Sequence, residues 1–162
     1  MVYFLTQFSK YILIALFAVY TFSSFTVLVR RADPVREKKV YRRQSACMYA
    51  LHFICYAVIF AVEQELKIWI FYLGQVGLCL VIMLIYRIIY RYADRLIVNH
   101  MCMLMLFGFS ELTRLSRTNA IRQMEIAGLA ILVSAFVPVI IAKMSVLRRF
   151  SWLYAVVGIA AL

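Results

Sequence analysis

Charged residues are scarce in this sequence, in which only 15% of the 162 residues are Asp, Glu, Lys or Arg and 66% are hydrophobic. Soluble domains are roughly one quarter charged and about half apolar, so water is excluded as the solvent for most of this chain. Two prolines and five glycines are also too few for a disordered or loop-rich protein. We therefore predict an all-α fold, a polytopic transmembrane helix bundle.

Cysteine-based chemistry is excluded as well. The four cysteines all lie in apolar stretches and none forms a CxxC pair: Cys47, Cys55, Cys79 and Cys102. Neither a disulfide framework nor a zinc site is indicated, and we interpret these residues as small core side chains. The sequence also lacks GxSxG, HExxH and phosphate-binding glycine loops, so no catalytic residue, metal or cofactor is predicted.

The net charge of +11 raises the question of nucleic acid binding. The basic residues, however, occur in short clusters between apolar runs and not along one soluble surface, so we expect no nucleic acid partner. The segment 30–43 holds seven Lys or Arg residues against Asp33 and Glu37. Such a segment remains in the cytoplasm by the positive-inside rule.

Apolar runs predict about six spans, at residues 11–29, 46–62, 68–86, 96–112, 126–141 and 150–162. The first run has no small-residue cleavage site, and we interpret it as a span in preference to a signal peptide. The last run is too short to cross a bilayer, which needs about 20 helical residues. We therefore expect the sixth span to be truncated and the chain to be the N-terminal piece of a longer protein.

The distribution of cations predicts the orientation. Thirteen lie in three inner segments, around residues 30–43, 87–95 and 143–149, and five lie outside: Lys10, Lys67, Arg114, Arg117 and Arg122. This asymmetry predicts an N-terminus outside the cell. If the fourth run were re-entrant, the orientation of the later spans would invert. The spacing of Arg87, Arg91 and Arg95 predicts that the third helix continues through the headgroups.

A polar cluster between the fourth and fifth spans is the best candidate for a site. It includes Glu111, Arg114, Arg117, Arg122, Gln123 and Glu125. Glu111 and Arg114 are three residues apart, as are Arg122 and Glu125, so each pair can meet on one helix face. One interpretation is an interfacial, salt-bridged turn. The other is a site where arginines hold the anionic phosphate of a lipid-linked substrate.

Polar residues inside the spans have structural interpretations. For His52 and His100, which lack partners nearby in the sequence, we expect interhelical hydrogen bonds or an interfacial position. The occurrence of Gln75 between Gly74 and Gly77 predicts close helix packing, in which the side-chain amide forms a hydrogen bond across the interface.

The stretch 99–150 resembles the opening of the SEDS family, the FtsW/RodA/SpoVE proteins of bacterial cell division and cell shape. The resemblance depends on a span that ends in Gly108-Phe109 and Leu112-Thr113-Arg114-Leu115, on Arg122-Gln123 before the next span, and on Gly128, Pro138, Arg148 and Arg149. It covers the last 65 residues or so. Residues 1–95 then form an extra three-span region, as in clostridial-type members, and 96–162 form the start of an incomplete core.

The resemblance implies a multi-pass protein of the bacterial plasma membrane. Full-length members are peptidoglycan glycosyltransferases that polymerise lipid II beside a penicillin-binding transpeptidase, so the implied partners are membrane lipids, the lipid-linked precursor and that transpeptidase. The family's catalytic aspartate lies beyond this chain, and whether the chain is catalytic stays open. Arg114, Arg117, Arg122 and Gln123 are the substrate-binding candidates. Glu111 departs from the apolar residue expected in the family.

Two other functions are compatible with the residues. One is a non-enzymatic membrane scaffold that binds division or elongation proteins. A small transporter is a third interpretation, which the lack of an inverted repeat and of a midplane charge pair disfavours.

Overall fold

The computed structural model describes residues 2–29, 34–90, 93–143 and 151–160, and their regular structure is entirely α-helical. The helices are α1 (Val2–Val29), α2 (Pro34–Glu63), α3 (Lys67–Ile88), α4 (Arg95–Leu115), α5 (Arg117–Lys143) and α6 (Ser151–Ala160). The predicted all-α fold is confirmed.

Five of these helices contain segments long and apolar enough to cross a membrane: Thr6–Val27, Glu37–Glu63, Lys67–Ile88, Arg95–Leu115 and Arg117–Val137. Each segment has 21 to 27 residues. At 1.5 Å per residue, these lengths match a hydrocarbon core of about 30 Å. The chain is therefore a membrane-embedded helical protein. The sixth predicted span is described over ten residues, which form α6.

The chain divides into two compact units, Met1–Glu125 and Ile126–Leu162. In the first unit α2 is central, because it packs against α1, α3 and α4, while α3 also packs against α4. The second unit contains the remainder of α5 and α6, and the apolar side chains of α5 that it includes are mainly exposed, as suits contact with lipid. The division predicted between 1–95 and 96–162 stays a prediction.

Two apolar clusters bring the ends of helices together in the first unit. One joins the end of α1 to the starts of α2 and α4 through Val27, Val40 and Leu96. The other joins the end of α2 to the start of α3 through Tyr56, Ile59 and Ile68. Together they align four helices whose short connections alternate between the two ends of the unit.

The prediction that the third helix continues through the headgroups is wrong. Helix α3 ends at Ile88 and α4 begins at Arg95. Oδ1 of Asp94 accepts a hydrogen bond of 2.8 Å from the backbone N–H of Leu96, and so caps a new helix. Arg87 and Arg95 therefore belong to different helices, and Arg91 lies outside the described residues.

The polar segment between the fourth and fifth spans is helical, although the sequence indicated a connection there. Only Ser116 separates α4 from α5, with an extended backbone at φ −161° and ψ 111°. The 21 residues of α4 form one continuous helix, which disagrees with a re-entrant fourth segment. Polar residues can extend a helix beyond the bilayer, because their side chains are solvated there, and hydropathy alone does not locate its end.

The described part of the basic segment 30–43, residues 34–43, is also helical. Helix α2 begins at Pro34, a residue suited to the first turn because the backbone N–H that proline lacks has no helical partner there. Lys38, Lys39 and Arg42 are exposed on this first part of α2. Residues 30–33, with Arg30, Arg31 and Asp33 among them, lie outside the described residues, as do Arg148 and Arg149.

Candidate functional site

Arg117 connects two turns at one end of the first unit. Its Nη2 donates to Oε2 of Glu63, and its Nη1 donates to Oε2 of Glu65. Glu63 ends α2 and Glu65 lies in the turn before α3, whereas Arg117 is the first residue of α5. We call these three residues the arginine clasp. It ties the α2–α3 turn to the start of α5.

Backbone geometry at Gln64 places both carboxylates of the clasp. Gln64 has a left-handed backbone with φ 55°, uncommon for a residue other than glycine. Its N–H still donates to the carbonyl of Phe60 at 2.8 Å, so it closes the end of α2 before the chain reverses. The reversal allows Glu63 and Glu65, on either side of Gln64, to reach one guanidinium group.

The clasp alters the acidity of Glu65. The hydrogen bond from Arg117, and then its positive charge, lower the pKa of the Glu65 carboxyl. A carboxylate that accepts charge-assisted hydrogen bonds is favoured in its ionised form. Arg117 is thus engaged by two protein carboxylates, an arrangement that competes with the binding of a phosphate.

Glu111 and Arg114 form an ion pair within α4. Nη2 of Arg114 lies 2.8 Å from Oε2 of Glu111, with 64% of the arginine side chain and 42% of the glutamate side chain exposed. An exposed pair on one helix contributes little to stability. It nevertheless occupies one terminal nitrogen, Nη2, of the Arg114 guanidinium.

Arg122, Gln123 and Glu125 are exposed on the first turns of α5. Within the described parts of the chain, no ion pair joins Arg122 to Glu125, so the pair expected from their spacing is absent. An exposed pair three residues apart contributes little to stability, so its absence costs the fold little. Of the three predicted arginines, Arg122 alone has no carboxylate within ion-pair distance among the residues described.

The clasp carboxylates were missed by sequence reasoning. The signal was present, because residues 63–67 have an acidic excess and the cation count puts Lys67 on the same side as the three arginines of the 114–122 segment. Opposite charges on two loops at one membrane face attract each other, but which arginine pairs with which carboxylate depends on helix lengths and rotation.

Within the apolar body of the first unit, α2, α3 and α4 meet at a set of hydrogen-bonded side chains that we call the polar layer: His52, Tyr56, Gln75, Ser110 and Thr113. Nδ1 of His52 lies 3.0 Å from Oγ of Ser110, and the hydroxyl of Tyr56 lies 2.9 Å from Oγ1 of Thr113. Gln75 donates weakly to the same Thr113 oxygen, over 3.4 Å. The interhelical hydrogen bond expected for His52 is present.

Other interhelical hydrogen bonds involve α1. Oγ of Ser24 accepts a bond of 2.9 Å from Gln44, whose Oε1 accepts a bond of 3.2 Å from Asn99 on α4. His100 lies with its Nδ1 3.0 Å from the hydroxyl of Tyr20 on α1, so its expected interhelical bond is also present. These contacts fix the relative rotation of α1, α2 and α4.

Gly74 and Gly77 do not show the close helix packing that was predicted around Gln75. A Cβ atom on Gly74 would lie 3.6 Å from the Met124 sulfur, an ordinary contact, and one on Gly77 would meet no atom within 4 Å. Alanine would fit at both positions, so the glycines do not mark a close approach of two backbones.

Little space is available for a ligand beside the polar layer. A cavity of about 10 Å³ lies between α2 and α4, bordered by His52, Cys55, Ser110 and apolar side chains. It has room for about one water molecule and is far too small for a lipid-linked sugar. Among the residues described, no three His, Cys, Asp or Glu side chains group to hold a metal ion. The described cysteines are free thiols.

No family model, curated protein or solved structure matches the chain. The fold and the site define a membrane-embedded helical protein whose first four helices are joined by buried polar contacts and closed at one end by an arginine clasp.

Proposed function

We propose that this chain is the N-terminal membrane region of a SEDS-type, FtsW/RodA-like protein of bacterial cell-wall synthesis, whose full-length form polymerises lipid II. The observation behind the proposal is the resemblance of residues 99–150 to the opening of that family. The position of its elements is compatible with this, since Gly108-Phe109 lie in α4 and Arg122-Gln123 lie near the start of α5. The protein then belongs to the bacterial plasma membrane.

In this proposal the first four helices are a scaffold and not a catalytic centre. Their buried polar side chains bond mainly to one another, and the cavity at the polar layer holds no more than a water. Such a bundle supplies a rigid support against which further family helices can pack. A penicillin-binding transpeptidase is the expected partner outside these helices.

Arg122 is the best remaining contact for the substrate. Arg117 is held by Glu63 and Glu65, and Arg114 by Glu111. Arg122 is exposed and has no such carboxylate among the described residues, so its guanidinium fork is available to the oxygens of a pyrophosphate. With the N-terminus outside, Arg122 lies at the outer face, where lipid II presents its sugar.

The test is polymerisation of lipid II by the protein at its native length in liposomes, followed by gel analysis of the glycan strands. We expect strands from the parent protein and about tenfold less product from Arg122→Gln, because a charge-assisted contact to phosphate is lost. Arg114→Gln is the matched control and keeps near-parental activity. Parental activity in both variants would exclude Arg122 as a substrate contact.

A non-enzymatic membrane scaffold for division or elongation proteins is the second candidate. It is favoured by the engagement of Arg114 and Arg117 with protein carboxylates. The same liposome assay separates the two functions. A correctly folded native-length protein that forms no glycan strands, even with its transpeptidase partner present, would exclude the polymerase and leave the scaffold.

A further inference from the structure

Two buried polar atoms in the polar layer have no hydrogen-bond partner within the described residues: Nε2 of His52 and Oε1 of Gln75. His52 is 2% exposed, and Gln75 is fully buried. An unpaired polar atom in the hydrocarbon region is costly, because no bulk water is available to bond it. The chemical character of each atom therefore indicates what it binds.

The hydrogen bonds of Ser110 determine the character of His52. The hydroxyl of Ser110 has one proton and donates it to the carbonyl of Leu106, 2.9 Å away. Its oxygen must then accept from Nδ1 of His52, so Nδ1 carries the proton of the neutral ring. Nε2 is left with a lone pair and is a hydrogen-bond acceptor.

The same reasoning applies to Gln75. Thr113 donates its proton to the carbonyl of Phe109 at 2.7 Å, so its oxygen accepts from the hydroxyl of Tyr56 and from the amide N–H of Gln75. The amide oxygen of Gln75 remains, and it can only accept. Both unpaired atoms thus require a donor.

The cavity at His52 selects for a small, neutral molecule with a proton to donate, and Gln75 is not among the side chains that line it. The cavity that His52 and Ser110 border has about 10 Å³, close to the least that holds one water molecule. The residues of the layer supply no carboxylate that would favour a cation, and its unpaired acceptors repel an anion. Water has the required size and donates two hydrogen bonds.

We propose that the cavity between α2 and α4 at the polar layer is a water-binding site, in which a bound water donates a hydrogen bond to Nε2 of His52. The water belongs to the helix interfaces in the membrane and is not part of a substrate path. It satisfies an acceptor for which the described residues supply no donor. This inference is independent of the proposed function.

The test is water-edited solid-state NMR of the isotope-labelled protein in lipid bilayers, which measures magnetisation transfer from water protons to assigned side chains. Gln44 is the matched control, because it is fully buried and both ends of its amide bond to protein. We expect faster transfer to His52, which borders the cavity, than to Gln44. Equally slow transfer to both side chains would overturn the proposal.

Two variants test each acceptor separately. His52→Phe removes Nε2 while a ring remains to stack on Tyr72, whose centroid is 5.2 Å from that of His52. We expect it to lose the transfer to Cys55 and Ser110 beside the cavity. Gln75→Met is the matched control, because it removes the acceptor that does not border the cavity, and we expect it to keep the transfer to Cys55 and Ser110. Unchanged transfer to the cavity side chains in folded His52→Phe protein would exclude the site at His52.

Discussion

The side-chain amide of Asn99 on α4 donates a hydrogen bond of 3.2 Å to Oε1 of Gln44 on α2. Gln44 in turn donates to Oγ of Ser24 on α1 over 2.9 Å, so one fully buried side chain joins three helices. The hydrophobic effect does not drive apolar helices together in lipid. Hydrogen bonds between their side chains therefore help to determine how such helices pack.

Replacing Gln44 by leucine is expected to destabilise the first unit by about 1–2 kcal/mol, since Asn99 and Ser24 each lose a partner in an apolar surrounding. The free energy of unfolding can be measured by detergent titration with tryptophan fluorescence. Gln123→Leu is the control at an exposed glutamine, and we expect it to change stability little. Equal stability of both variants would contradict a structural role for the three-helix contact.

The arginine clasp predicts a pH dependence. Arg117 lowers the pKa of Glu65 in the folded protein, so the ionised carboxylate stabilises the fold at pH values above its unfolded pKa. This contribution is lost as the pH falls through the lower, folded pKa. We expect acidification to lower the melting temperature of the parent protein more than that of Arg117→Gln.

Arg114→Gln is the control for the clasp, because the ion pair that it breaks lies within one helix and does not connect separate elements. Acidification should lower its melting temperature by as much as it lowers that of the parent protein. If Arg117→Gln shows the parent's acid dependence as well, the clasp contributes nothing to the folded state. High salt should reduce the difference between the parent and Arg117→Gln, because both carboxylates are partly exposed.

The number and approximate position of the membrane helices could be predicted because hydrocarbon thickness imposes a length on any apolar run. The ends of the helices could not be predicted in the same way. Ser116 and Asp94 end and begin helices through local backbone geometry and capping, whereas the residues around them are polar and compatible with either state.

Contacts between helices could be predicted only in part from the sequence. His52 and His100 were expected to bond across helices, but Ser110 and Tyr20 are far from them along the chain. The paired spacing of Ser110 with Thr113 and of His52 with Tyr56 was a usable signal, because residues three or four apart share a helix face. Choosing partners between helices requires their rotation, which a nearly uniform apolar sequence does not specify.

The cap of α4 makes a further prediction. Asp94→Ala should lower stability by about 1 kcal/mol, since the N–H of Leu96 loses its side-chain acceptor at the helix start. Asp94→Ser keeps an acceptor of similar reach and should retain most of the stability. Thermal unfolding of the three proteins in the same detergent provides the measurement. A loss in Asp94→Ser as large as in Asp94→Ala would show that the charge of Asp94, and not its cap, stabilises the fold.

The predicted orientation can be tested with two cysteine variants that each remove one exposed lysine. Lys67→Cys lies at the clasp end of the first unit, and Lys39→Cys lies near the start of α2. The four native cysteines are buried or half-buried and give the background labelling. With an outside N-terminus, a membrane-impermeant maleimide should label Lys67→Cys in intact bacterial cells and Lys39→Cys only after permeabilisation. The reverse pattern would place the arginine clasp in the cytoplasm and would remove Arg122 from the face at which lipid II is polymerised.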